Sequence, residues 1–161
     1  MDSLKLFSEI LASTDVLSVI ISVIALSMAV KAYRIAKNKM RLNFYYKRMD
    51  LYSSVVKYIL VFVEGDYLKI KETRYPEIYE NFFLAYRESL FLFKEEDNIH
   101  TIIENIKDIT AKIKHYYDHE KDVSADKIKS REENLANENT LMQKLKDLEK
   151  RIKEYIQFDS L

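Results

Sequence analysis

Residues 15–39 read DVLSVIISVIALSMAVKAYRIAKNK, and the fold turns on how this stretch is interpreted. Fifteen consecutive residues, Val16 to Val30, carry no charge. Seven cations follow (Lys31, Arg34, Lys37, Lys39, Arg41, Lys47 and Arg48) before the next acid, Asp50. An apolar run closed by cations predicts a helix across a bilayer with its C-terminal side in the cytoplasm. Fifteen helical residues rise only about 22 Å, against a hydrocarbon core of about 30 Å. The span therefore draws on its flanks: Leu11 to Thr14 on one side, and on the other Tyr33 at head-group level with Lys31 and Arg34 snorkelling. A short span is also relieved by helix association, which predicts an oligomer.

Three other readings fit the stretch less well. A secretory signal carries its positive charge before the apolar run, whereas here Asp2, Glu9 and Asp15 precede it with Lys5 as the one cation. A buried helix of a soluble core has the same length but no reason for the cations that follow. A helix lying on the membrane surface needs a strongly polar face, and Val16 to Val30 is apolar nearly all round.

Composition narrows the rest of the chain. One Gly and one Pro in 161 residues leave almost no turn chemistry, so an all-α structure is expected. Charge cancels overall but is unevenly placed: residues 31–60 hold eight bases and one acid, residues 61–161 seventeen bases and twenty-two acids. The positive charge sits beside the apolar run, where anionic lipids reward each cation by about 1 kcal/mol. The absence of Cys excludes a disulfide framework, thiol chemistry and thiolate zinc sites.

Outward from the span, the expected organisation is a short outer segment (residues 1–14), the transmembrane helix (15–33), a basic juxtamembrane stalk (34–48) and a cytoplasmic helical bundle (49–161). Leu4, Phe7, Ile10 and Leu11 share one helical face of the outer segment. Within the span, Asp15, Ser18, Ser22, Ala25 and Ala29, continued by Ala32 and Ala36, form a stripe of small or polar residues. In lipid, association depends on close approach across such residues, so the stripe is the candidate helix-association or lumen face. In a ring of subunits Asp15 forms an acidic collar favouring cations. Lys31, Arg34, Lys37, Lys39 and Arg41 are the candidate lipid head-group contacts.

No Gly or Pro interrupts the sequence from Lys31 to Val63, so one helix is expected to run to Glu64 and Gly65, with Asn38 and Asn43 as candidate breaks. Its segment from Met49 to Val63 is apolar on most of its circumference and needs burial on several sides. Pro76 opens a second bundle helix, whose Ile78, Tyr79, Phe82, Phe83, Tyr86, Leu90, Phe91 and Phe93 make a broad face assigned to the core. Glu95, Glu96 and Asp97 are expected in the first turn of a third helix. Its Ile99, Ile102, Ile106, Ile109, Ile113 and Tyr116 repeat at coiled-coil spacing. Residues 118–130 read as a polar loop, Ser130 and Glu133 as a capping box, and Leu141, Leu145, Leu148, Ile152 and Tyr155, with Phe158, as the seam of a last helix.

Catalytic chemistry is hard to place. The chain has no Gly-rich phosphate loop, no G-x-S-x-G and no H-E-x-x-H. His115 and His119 stand four apart beside Asp118 and Glu120, but polar residues at a helix C-terminus explain them better than a metal does. The expectation is a protein that is not an enzyme, with no metal and no cofactor.

The order of membrane helix, basic collar, RMDLYSSVVKYI (Arg48 to Ile59) and FLFKEEDNIHTIIENI (Phe91 to Ile106) resembles a group of uncharacterised bacterial single-pass helical proteins. In size and layout the chain is also similar to the small membrane accessory proteins of type VI-B CRISPR systems. That resemblance implies a homo-oligomeric inner-membrane pore assisting antiviral defence. Some relatives are described as divergent HEPN ribonucleases, whose motif is Arg, then four to six residues, then His. No Arg precedes His100, His115 or His119 at that distance, so nuclease activity does not carry over. The expected function is a homo-oligomeric pore or membrane-perturbing effector, in partnership with itself and with anionic lipids. The alternative is a tethered adaptor whose bundle binds a partner protein; nucleic acid is the least favoured partner, because lipid head groups account for the basic stretch.

Overall fold

The computed structural model of the chain describes the backbone of residues 2–119 and 127–156 and the side chains of residues 16–119 and 130–155. Among the described residues there is no strand; the order is α1 (Asp2–Val63), α2 (Tyr67–Ile70), α3 (Tyr75–Leu92), a 3-10 turn (Glu95–Asp97), α4 (Ile99–His119) and α5 (Lys127–Ile156). The chain divides into two compact units, Met1–Asn43 and Phe44–Leu161, and α1 contributes residues to both.

Helix α1 has no break at Asn38 or Asn43. It ends where the sequence offers its one glycine: Gly65 has φ +69°, in the left-handed region that L side chains rarely adopt, and its N–H donates to the Phe62 carbonyl at 3.2 Å. Pro76 lies in the first turn of α3, where no helical partner for an N–H is lost. The other end of α3 is set by Phe93 and Lys94, both extended. Glu95, Glu96 and Asp97 are not the first turn of α4: they form the separate 3-10 turn, closed by Asn98 at φ 54°. Asn is among the few residues that adopt this conformation at small cost, so the helix start moves past the acidic run.

The core belongs to the second unit. Leu51, Val55, Tyr58, Ile59 and Phe62 of α1 meet Phe82, Ala85 and Leu92 of α3, Ile99, Ile103, Ile106 and Ile113 of α4, and Leu141, Leu145, Leu148 and Ile152 of α5. The four-residue and three-residue steps of α5 are borne out, and α4 packs along it. In α4 the buried stripe is wider than a two-position seam: Ile103 and Thr110 are fully buried, while Ile102, Ile109 and Tyr116 are half-buried. A helix flanked on two sides presents three positions per heptad to its neighbours. Tyr58 stacks on Phe82 with centroids 4.0 Å apart, and its hydroxyl lies 3.0 Å from the Thr110 hydroxyl, which also reaches the Ile106 and Lys107 carbonyls at 2.9 Å. The short α2 is fastened to α4 by Asp118, which accepts from the Tyr67 hydroxyl at 3.0 Å and from Lys114 Nζ at 2.9 Å. Burial opposes ionisation of that carboxyl, but Lys114 and Tyr67 outweigh it and hold its pKa below the usual value.

Two local expectations fail at the start of α5. Ser130 lies inside the helix, which begins at Lys127, so it is not paired with Glu133 as a capping box. Of the loop expected over 118–130, Asp118 and His119 belong to α4 and residues 127–130 to α5, and residues 120–126 lie outside the described residues. Phe158 and the side chains of Leu4, Phe7, Ile10, Leu11 and Lys127 to Lys129 also lie outside them.

Candidate functional site

In the first unit, one helix is long and apolar enough to cross a membrane, and none of its apolar window is buried within the chain. Val16, Ile20, Val23, Leu26 and Met28 are all at least half exposed. A β-branched-rich run of this kind is tolerated as an isolated helix only where something other than the chain itself covers it.

The stripe inferred from the sequence lies on a helical stretch of α1. At 100° per residue, Ser18, Ser22, Ala25 and Ala29 fall within about 60° of one another, and all four are exposed. The Ser22 hydroxyl donates to the Ser18 carbonyl at 2.7 Å, one turn back along the helix. Asp15 continues the same face by backbone position, but its side chain lies outside the described residues. The cations fall elsewhere. Lys31, Arg34, Lys37 and Arg41 cluster within about 120° on the side opposite the small residues, and Lys39 alone lies near the stripe. All five are exposed. One side of α1 thus permits close approach of another helix, while the other side carries charge.

Arg48, counted among the basic run, has a different role. It is half-buried: its Nε–H donates to the Leu92 carbonyl at 3.1 Å, and its guanidinium lies 4.6 Å from the Tyr155 ring centre and 5.7 Å from those of Phe44 and Phe93. Burial pulls its pKa down from the usual value, and the Tyr155 phenol offsets part of this. Tyr155 in turn donates to the Asp97 carboxylate. Arg48 therefore ties α1 to the end of α3 and to α5. No spacing rule would have singled it out, because its partners beyond α1, namely Leu92, Phe93 and Tyr155, lie 44 or more residues away.

The three histidines make local contacts among the described residues. His119 Nδ1 lies 2.9 Å from the His115 carbonyl, one turn back at the end of α4. His100 stacks on Tyr86 at 4.6 Å, with Nδ1 2.7 Å from the Ser89 hydroxyl. That hydroxyl donates to the Tyr86 carbonyl at 2.6 Å and is almost fully buried, so the ring nitrogen is the donor of the pair. A nucleophile activated by a base needs the opposite direction of donation. Among the described residues no three His, Asp or Glu side chains come together to hold a metal. A cleft of about 450 Å³ between α4 and α5 is lined by Lys112, His115, Tyr116, Asn134 and Asn137. The buried Asn134 donates to Glu138 at 2.7 Å and has no partner for its Oδ1 among the described residues.

The broad apolar face assigned to the core on α3 is divided by the structure. Phe82 and Phe93 are buried and Ile78 and Tyr86 half-buried, but Tyr79, Phe83, Leu90 and Phe91 are exposed, Phe91 at 83%. The helix is apolar on two sides, and the bundle covers only one of them. Periodicity finds apolar positions without saying how many neighbours a helix has. No family model matches the chain, and no curated protein or solved structure matches it.

Proposed function

We propose that the chain is a single-pass membrane protein whose copies associate through the small-residue face of α1, and that it acts on the bilayer as a pore or membrane-perturbing assembly. The observation that carries this reading is the division of α1 into two sides. Ser18, Ser22, Ala25 and Ala29 let helices approach closely, while Lys31, Arg34, Lys37 and Arg41 lie on the far side, free to meet anionic head groups. An anchor alone has no need of a stripe segregated from its cations. The positive-inside rule orients the N-terminus outside and the bundle in the cytoplasm of the inner membrane.

The test is a pair of variants in proteoliposomes. Ser18→Leu with Ser22→Leu keeps the span apolar but blocks close approach, and is expected to lower the mass of the nanodisc-embedded assembly and abolish ion flux. Asp15→Asn is expected to change cation selectivity without changing the mass. Unaltered mass and flux in the double variant would reject the stripe as an association face. A second reading, a tethered adaptor, is supported by the exposed apolar side of α3. It predicts that exchanging residues 11–33 for an unrelated membrane helix leaves function intact.

A further inference from the structure

We infer that the exposed side of α3 is a contact surface for a second copy of this chain, packed antiparallel about a two-fold axis between Phe83 and Leu84. This deepens the reading of the chain as an assembly and rests on it in requiring more than one copy.

On a wheel of 100° per residue, the buried Tyr75, Phe82, Ala85, Ser89 and Leu92 define one side of α3. The opposite side is centred on Glu80, Leu84, Arg87 and Phe91 and flanked by Pro76 and Phe83, all six exposed. Leu84 is 49% exposed and Phe83 42%. A helix of 18 residues carrying a second apolar side of this kind has one neighbour too few.

The charges on that side identify the neighbour. Glu80 and Arg87 are seven residues apart, about 10.5 Å along the axis, too far to pair within one copy. Among the described residues neither makes an ion pair or a side-chain hydrogen bond. Their midpoint, between residues 83 and 84, is also the centre of the apolar side. Reversing a second α3 about that midpoint brings Glu80 level with Arg87 of the other copy, twice, by symmetry. The same operation brings Leu84 level with Phe83 and Pro76 level with Phe91, and leaves Leu84 only about 1.5 Å along the axis from its own copy. Glu77 and Glu88 fall at the rim, pointing to water, where their repulsion is screened. A self-complementary patch in which residue i meets j and j meets i is what a two-fold contact requires. An unrelated partner has no reason to match a pattern that reads the same when reversed.

A contact along one helix, about 27 Å long, belongs at the small end of protein interfaces. Confinement of both copies to one membrane raises their effective concentration and offsets that weakness.

The test uses the full-length protein in nanodiscs, with mass and dissociation on dilution as readouts. Glu80→Arg and Arg87→Glu, each alone, are expected to weaken association about tenfold, and the combined exchange to restore it to within about threefold. Restoration also shows that the single variants fold. Because the chain has no Cys, Leu84→Cys gives a single thiol that is expected to cross-link to its own copy on oxidation. Glu77→Cys, about 20 Å from its copy along the axis, is expected not to. Single variants that associate like the parent, a combined exchange that fails to restore, or equal cross-linking at the two positions would each overturn the contact. If the mass also stays unchanged in these variants but falls with Ser18→Leu and Ser22→Leu, the assembly reading stands without α3; a monomer throughout overturns both.

Discussion

Replacing Arg48 by Ala removes a group that holds three elements at one point. The bond from Nε to the Leu92 carbonyl, at 3.1 Å, involves a charged donor, and such bonds contribute about 1.5–3 kcal/mol. The guanidinium over the Tyr155 ring, at 4.6 Å, adds about 0.5–1 kcal/mol at a half-exposed site. Together they put the expected loss at about 2–4 kcal/mol. Arg48→Lys keeps a cation near Tyr155 but has no Nε–H to offer Leu92, so it is expected to recover less than half of that loss. Tyr155→Leu combined with Arg48→Ala isolates the ring contact as a coupling of about 0.5–1 kcal/mol. The assay is urea unfolding of the full-length protein in detergent, followed by near-ultraviolet circular dichroism. With twelve Tyr, of which only Tyr33 falls in residues 15–33, and no Trp, that signal comes chiefly from the packed phenol rings of the bundle. A loss below about 0.5 kcal/mol for Arg48→Ala, the range of an ordinary surface substitution, would refute the role assigned to this residue.

Four further outcomes are expected. Ile106→Ala, at a fully buried position of α4, should cost about 2–5 kcal/mol in the same assay, since the cavity cannot collapse between packed helices. Thr110→Val keeps the shape but removes a hydroxyl partner of the buried Tyr58, and should cost about 1–3 kcal/mol. Alkaline titration should unfold the bundle. Burial, with the Glu149 hydrogen bond, pushes the Tyr52 phenol up to about 12, and burial also raises Tyr58, Tyr67, Tyr75 and Tyr155. The folded state then keeps protons that the unfolded chain releases near pH 10, so stability is full below about pH 10 and falls as pH rises towards 12; tyrosinate absorbance and loss of circular dichroism should coincide. On the proposed single-pass reading, exchanging Lys31, Arg34, Lys37 and Arg41 for Glu should change the side of the membrane on which the bundle is found, read by protease protection of sealed vesicles.

Much of this architecture was legible in the sequence because it depends on local rules. The apolar run from Val16 to Val30, the stop at Gly65, the start at Pro76 and the α5 seam of Leu141, Leu145, Leu148 and Ile152 each depend on spacing or on one special residue. What escaped depends on partners. Asn98 moved the start of α4 because a single αL residue closes the acidic turn, and acidic side chains are equally at home in either setting. The exposure of Phe83 and Phe91 reflects the number of helices around α3, which periodicity does not count. Arg48 looked like its six basic neighbours until Leu92, Phe93 and Tyr155 surrounded it. The small-residue stripe is intermediate: it was read from spacing, but the position of Arg41 on the far side with Lys31, Arg34 and Lys37 follows only because α1 is continuous through Asn38.

The contacts between the beginning and the end of the second unit also bear on how the protein is made. Tyr52 donates to Glu149 at 2.8 Å across 97 residues of sequence, and Arg48 waits on Tyr155. During synthesis, Leu51, Val55, Ile59 and Phe62 leave the ribosome long before the helix that helps to enclose them. At about 5–20 residues per second, that interval lasts about 5–20 s. The nascent chain thus holds an unenclosed half-core, close in sequence to the apolar run Val16 to Val30, for several seconds; on the proposed single-pass reading, early engagement of that run by the insertion machinery keeps the two from collapsing together.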